Sequence, residues 1–401
     1  MSSSKKSKTF TRSANLGTSL IHESKWKVLD EIYDEAKRVS DLYLLRLDKK
    51  QTAKFAGKDL YNLVTEQDSW LTARLKQQCC AFAVSTLKSV HARISRLKWI
   101  QDQQDDKTTN ACKKREKLIK SLKSAQPKIT DFSLNLNGNS VKFNAVKNVA
   151  KHENWVRLTS IGNSIKVDLP FMITPPFKKW SAKGGELSKF LQIKGRIIKC
   201  VFTMPVPKLR ETGHVVGCDI GMRNVCTFDN GCQTQSNNLG RNLMNINKKI
   251  KRCKSKVKQS KFRTEYVQHV KWAVNLINWG TAKCVKVENI FNFHAKGFTQ
   301  GWLPTVILNK IESVCQEKGI KFVKVPAPYT SQRCHECGWT AKANRPNGEK
   351  MFKCKMCKIY ANADVNAAKN IKSEHSKFNY KRPSSTPGVY ISKKWWKTGK
   401  Q

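Results

Sequence analysis

Cys334 and Cys337 form one C-x2-C pair, Cys354 and Cys357 form a second, and 16 residues separate the two pairs. Four thiolates at this spacing close a tetrahedral zinc site with no coordination position left open, the pattern of one structural zinc rather than a catalytic one. A segment so short lacks a hydrophobic core of its own, so bound metal supplies folding energy directly. Seven residues beyond the last cysteine comes Ala363-Asp364-Val365-Asn366, which sets a carboxylate beside the metal knob. The other ten cysteines, from Cys79 to Cys315, share no spacing, and several sit in apolar runs, where free cysteine behaves as a small buried hydrophobe. A reducing compartment fits this usage best.

Charge narrows the partners. The 401 residues carry 76 Lys and Arg against 29 Asp and Glu, a formal net charge of +47. Self-repulsion of that size opposes compaction, so a polyanion is expected along much of the surface, and nucleic acid leads the candidates over a merely solubilising surface or an anionic membrane. With 39% hydrophobic residues the chain has material for two to three domains. No apolar run reaches the length of a transmembrane helix, and Met1 to Lys8 lack the apolar region of a secretory signal. The expected location is cytoplasmic.

Periodicity divides the chain into regions of different character. Between Glu23 and Gln126, Trp26, Leu29, Ile32, Ala36, Val39, Leu42 and Leu45 recur at helical steps, and a second such run covers Leu71 to Ile100. From Asp131 to Leu209 the pattern alternates. Phe132 to Leu136, the Asn137-Gly138 pair and Val141 to Phe143 predict a β-hairpin, and Trp155–Leu158, Ile165–Leu169 and Ile197–Phe202 predict further strands. From His214 onward strands and helices alternate, which argues an α/β layer. Val215 to Ile220 and Cys284 to Val287 are apolar strands with acids near their ends, Trp302–Glu317 is predicted helical, Phe322–Val325 a strand, and Asp364 opens a helix over Val365–Ile371. Residues 373–401 carry seven Lys or Arg and no periodicity, and are read as a basic, largely disordered tail.

Three acids share one grammar: Asp219 and Glu288 follow buried strands, and Asp364 begins a helix after the cysteine segment. Hydrolysis of a phosphodiester with two Mg2+ ions needs about three carboxylates from separate elements, because hard cations take oxygen ligands and leave positions for water and phosphate. An acid at a strand end also serves as a turn residue or a helix cap, and spacing leaves that alternative open.

From Val215 to Ile371 the chain resembles the RuvC-like nuclease module of TnpB proteins and of miniature type V CRISPR-Cas effectors. The residues that carry the resemblance are Gly217-Cys218-Asp219-Ile220-Gly221, Val287-Glu288-Asn289, Tyr329-Thr330-Ser331-Gln332-Arg333-Cys334-His335-Glu336-Cys337-Gly338, Phe352 to Cys357, and Ala361 to Ile371. The resemblance implies a multidomain α+β chain with an RNase H-like (RuvC) α/β nuclease domain. Asp219, Glu288 and Asp364 would be its catalytic acids, binding two Mg2+, and Cys334, Cys337, Cys354 and Cys357 would hold one Zn2+ in a target-nucleic-acid-binding insert. The implied order is a first part of a β-barrel wedge domain (1–22), a helical recognition lobe (23–128), the rest of the wedge barrel (129–210), the nuclease first part (211–327), the zinc insert (328–360), the nuclease last part (361–372) and the tail (373–401). It also implies an RNA-guided DNA endonuclease, with guide RNA and target double-stranded DNA as partners, no membrane, and either one copy or a homodimer per guide.

Candidate nucleic-acid contacts are Arg333, beside the first zinc ligand and facing either the scissile phosphate or solvent, and the basic run containing Lys248, Lys249, Lys251, Arg252 and Lys254. Lys113 to Lys120 and the Trp395-Trp396 pair among lysines are further candidates, the latter by stacking on bases. Two competing readings are a guide-dependent DNA-binding protein or repressor without cleavage, and a guide-independent junction resolvase, which would leave the helical and strand-rich half without a task.

Overall fold

The computed structural model describes residues 9–47, 69–102, 110–125, 127–144, 152–234, 242–290, 302–327, 329–345, 350–373 and 389–390. The chain divides into two compact units, Met1–Pro205 and Val206–Gln401. Trp395 and Trp396 lie outside the described residues.

In the first unit, strand β1 (Thr9–Asn15) is followed by helices α1 (Glu23–Arg46), α2 (Ala73–Asp102) and α3 (Asn110–Ser124). His22 caps α1, its Nδ1 accepting from the Ser24 amide. Trp26, Leu29, Ile32, Ala36 and Val39 form the buried stripe that the periodicity predicts, against α2. One turn later the stripe shifts to Tyr43 and Leu44, leaving Leu45 62% exposed. Six strands follow and, with β1, form two antiparallel sheets. Strands β2 (Leu134–Asn137), β6 (Glu186–Lys194) and β7 (Ile197–Pro205) join β1 in the order β1-β7-β6-β2, while β3 (Val141–Phe143), β4 (Trp155–Leu158) and β5 (Val167–Pro170) form the other. Helix α4 (Pro175–Ala182) lies between β5 and β6.

Two expectations fail here. The segments flanking Asn137-Gly138 are not a hairpin: β2 pairs with β6 and β3 with β4. Gly138, at φ +59°, starts a short 3-10 turn through Ser140, whose extra residue redirects the chain out of one sheet and into the other. The expected wedge barrel is also absent, since the ladders end at β1 and β2 and at β3 and β5, and neither sheet closes among the described residues.

The second unit is built on a four-stranded sheet. Strands β8 (His214–Ile220) and β9 (Cys226–Phe228) are antiparallel, helices α5 (Leu243–Arg252) and α6 (Lys256–Asn275) follow, then β10 (Ala282–Asn289), α7 (Pro304–Glu317) and β11 (Lys321–Pro326). The order is β11-β10-β8-β9, with β11, β10 and β8 parallel. Val285 and Val287 of β10 pack with Tyr266, Val270, Ile307 and Ile311 of the helices in one core, the apolar strand character that covered parallel sheets require. Beyond β11 come two short strands, β12 (Trp339–Thr340) and β13 (Met351–Lys353), then β14 (Tyr360–Asn362), paired with β13, and helix α8 (Ala363–Lys372), packed on β8. Gly217 permits that approach: a Cβ there would stand 2.0 Å from the Ala368 carbonyl oxygen.

Part of the tail, read from the sequence as largely disordered, is described. Its residues Val389–Tyr390 form strand β15, antiparallel to β12. No helix among the described residues is long and apolar enough to cross a membrane.

Candidate active site

The ladder brings two acids to one level. β8 and β10 run parallel with Val287 opposite Cys218, so Glu288 and Asp219 follow as neighbours on the same sheet face, where alternation also hides Cys218 and Val287 on the core side. The third acid arrives on α8. Asn362 caps that helix, its Oδ1 accepting from the Asp364 amide at 2.9 Å and the Val365 amide at 3.2 Å. This fixes the first turn and with it the Asp364 carboxylate.

The three carboxylates feel one another. Burial holds the Asp219 carboxyl well above the usual carboxylate range, and Glu288 and then Asp364 push it further. Burial likewise raises Glu288 to about 7, against the lowering effects of the Thr330 hydroxyl and of Arg345. Arg345 stands among them, its guanidinium 3.1 Å from Asp364 and its charge felt at Asp219 and Glu288. The Thr330 hydroxyl lies between the Glu288 carboxylate and the Ala327 carbonyl, and its single proton serves one of them at a time. An all-oxygen donor set with depressed acidity suits a hard divalent cation, which would replace mutual repulsion by attraction.

The cysteines fit zinc. The sulfurs of Cys334 and Cys357 are 3.7 Å apart, those of Cys337 and Cys354 3.6 Å, and all four lie within 4.8 Å of one another. A tetrahedron of Zn–S bonds about 2.3 Å long has edges of about 3.8 Å. Each C-x2-C pair closes a tight turn, with the Cys334 amide bonded to the Trp339 carbonyl and the Cys354 amide to that of Ile359. The residues just after each pair, Gly338 and Lys358, have φ of +79° and +63°. Among the described residues Phe352 and Ala363 join Cys334 and Cys354 in a small core, with Trp339 and Ile359 partly buried against it, too little to hold the element alone.

Asparagines couple this element to the acids. Asn344, fully buried, donates to the carbonyls of Gln332 and Trp339 and accepts from the Lys355 amide, which ties the two cysteine turns together. The next residue is Arg345. On α8, Asn366 and Asn370 stand one turn apart: Asn366 Nδ2 donates to the Arg333 carbonyl, and Asn370 Nδ2 donates to those of Thr330 and Arg333. Asn366 Oδ1 accepts from the His335 amide. Arg345, Thr330, Asn344, Asn366 and Asn370 were given no roles in the sequence reading. The spacing of Asn366 and Asn370 on an otherwise alanine-rich helix is the signal that points to the latter pair.

The predicted nucleic-acid contacts divide. Arg333 faces neither a phosphate site nor solvent: it is 5% exposed, and its Nη1 donates to Asn370 Oδ1. Lys248, Lys249, Lys251, Arg252 and Lys254 are exposed at the end of α5 and just beyond it, with Lys249 3.9 Å from Glu265. Lys113, Lys114, Lys117 and Lys120 are exposed on α3. A cavity of about 790 Å³ between β8, β9 and the end of α6 includes none of the three acids in its walls. A smaller recess of about 420 Å³ does include Asp364.

Comparison with known proteins falls within the carboxy-terminal part of the stretch that carries the resemblance. The family model of the Cas12f1-like TNB domain matches residues 306–371. The CRISPR-associated endodeoxyribonuclease Cas12f1 of Sulfoacidibacillus thermotolerans is 43% identical over 89 residues, 22% of this chain and 21% of that protein. A TnpB-like protein of Aquifex aeolicus (strain VF5) is 36% identical over 70 residues, 17% of this chain and 23% of the relative. The likeness thus spans about a fifth of the length of these curated relatives. The structure of the mini-RNA-guided endonuclease CRISPR-Cas_phi3 superposes with a TM-score of 0.50 at 9% identity, covering 90% of this chain and 92% of the other, a likeness of multidomain α/β fold.

Proposed function

We propose that the chain, similar over part of its length to TnpB proteins and miniature type V CRISPR effectors, is an RNA-guided DNA endonuclease with a RuvC-like site. The observation that carries this reading is the convergence of Asp219 and Glu288, in register on parallel strands, with Asp364 at the capped start of the helix packed on β8. Support also comes from the printed activity of the similar Cas12f1 protein, a CRISPR-associated endodeoxyribonuclease.

In this reading Asp219, Glu288 and Asp364 hold two Mg2+ ions, which when bound activate water and stabilise the leaving oxygen of the cut phosphodiester. The chain's own groups set up that chemistry. β8 and β10 hold two carboxylates at one level, Asn362 fixes the third, Thr330 orients Glu288, and Arg345 lends positive charge where the acids crowd. Cys334, Cys337, Cys354 and Cys357 hold one Zn2+, and through Asn344 that element sets Arg345 in place. The first unit serves as recognition lobe (23–128) and wedge (1–22 and 129–210), and residues 211–327 with 361–372 as the nuclease. The exposed lysines of α5 follow the nucleic-acid backbone.

The test is to sequence RNA that co-purifies with the full chain and to offer duplex DNA matching its variable segment with Mg2+. One dominant RNA with a variable end, and cutting of only the matched duplex, is expected. Random cellular RNA with no matched cutting overturns guidance, and matched binding without cutting would favour a DNA-binding protein.

A further inference from the structure

Helix α8 carries Asp364 at its start and, farther along, a buried asparagine whose side chain is committed to the turn that leads into the zinc element. Asn370 Nδ2 donates to the Thr330 carbonyl at 2.8 Å and to the Arg333 carbonyl at 2.7 Å, and its Oδ1 accepts from Arg333 Nη1 at 2.8 Å. Aspartate has no donor for those carbonyls, and glutamine is a methylene longer.

The turn it holds is one the backbone does not favour unaided. Tyr329 opens it at φ +64°, in the left-handed region that residues other than glycine rarely adopt, and the Tyr329 carbonyl accepts from the Gln332 and Arg333 amides, both at 2.9 Å. Within it the buried Thr330 directs its hydroxyl to Oε1 of Glu288 and to the Ala327 carbonyl. A β-branched side chain has little χ1 freedom, so the place of that hydroxyl follows the backbone that carries it. Asn370 fixes this backbone at the Thr330 carbonyl itself.

The cysteine turns are held by other bonds. Asn344 joins them to each other, and Asn366 meets the His335 amide and the Arg333 carbonyl. What the contact between Asn370 and Thr330 reaches is Glu288.

We propose that Asn370 is a positioning residue of the acid cluster: through Thr330 it keeps Oε1 of Glu288 on a hydroxyl and so reserves Oε2 for a divalent ion. One helix thereby sets two of the three acids, Asp364 by its cap and Glu288 by Asn370. Groups that orient a metal ligand from behind in this way change metal affinity by about ten- to a hundredfold. The inference rests on the nuclease reading for the task of the ions.

Mn2+ is titrated into the full chain with its co-purifying RNA, free Mn2+ is read by electron paramagnetic resonance, and the sites lost in Asp219→Asn are the ones counted. Asn370→Ala and Thr330→Val should each weaken those sites about tenfold. The double variant should bind no more weakly than the weaker single, because the two residues act in series. Thr330→Ser, which keeps the hydroxyl, should restore most of the affinity, and all four variants should keep their zinc. Cutting by Asn370→Ala should fall in kcat with KM for DNA unchanged. Wild-type Mn2+ affinity in Asn370→Ala, or losses that add in the double variant, overturn the proposal. Zinc lost from Asn370→Ala overturns it too, since the residue would then serve the cysteine turns. Mn2+ affinity that follows Asn370 in a chain that never cuts would sink the nuclease reading and keep the positioning role; cutting with Mn2+ affinity indifferent to Asn370 would do the reverse.

Discussion

The zinc element and the acid cluster are both sets of metal-ligand side chains, and they are built in opposite ways. Four sulfurs come to within 4.8 Å of one another around a space of zinc's size, on turns that the local backbone bonds have already shaped. Of the three carboxylates, two hold their protons more tightly than usual, and Arg345 stands among them. A closed site of this kind spends its metal on folding, whereas an open one keeps repulsion in store and leaves coordination positions for a substrate. Asn344 and Arg345 join the two, because the residue that ties the cysteine turns precedes the one that meets Asp364.

The comparison breaks most visibly at the closed site. Cys354→Ser should lower bound zinc from one equivalent to under about a tenth, because the small core around Phe352 cannot hold the turns without metal. Since Arg345 depends on those turns, cutting should fall as well; zinc analysis beside a cleavage assay checks both. A variant that keeps its zinc would remove the closed half of the contrast.

The open site should show the burial of Glu288 in the pH dependence of stability. Glu288 titrates near 7 in the folded chain and near its ordinary 4.5 when unfolded, so the folded state holds a proton that the unfolded state has released between those values. Without divalent ions the melting temperature is therefore expected to fall as pH rises from about 4.5 to 7, by roughly 5 °C, and to recover with Mg2+. A flat profile would mean that burial does not hold the proton on Glu288.

The exposed cations of α5 belong to neither metal site and should matter least. Lys248→Ala with Arg252→Ala is expected to lower the salt dependence of single-strand binding by about 1.4 in log-log slope, with little change in either metal's retention. Binding measured across a salt series gives the slope.

Much of this contrast was legible in the sequence, and its limits are physical. The zinc ligands could be read because C-x2-C spacing encodes its own turn, and the strands carrying Asp219 and Glu288 because covered parallel strands are apolar throughout. Arg345 was invisible: nothing local marks a residue whose role depends on Asp364, 19 positions on, returning to meet it. Arg333 misled for the opposite reason, since a charge beside a metal ligand suggests a surface, while Asn370 draws its guanidinium inward. The Asn137-Gly138 pair misled because a 3-10 turn uses the same residues as a hairpin and only the distant partners β6 and β4 decide between them.

The most direct test replaces Asp219 by Asn and follows melting temperature and cutting together, with and without Mg2+. The account predicts that Asp219→Asn melts higher than wild type without Mg2+, because a buried charge and its repulsions are gone. The same variant should gain almost nothing from Mg2+ and should cut roughly a thousandfold more slowly. A variant that melts lower without metal, still gains stability from Mg2+ and still cuts would show that these acids do not gather the ions.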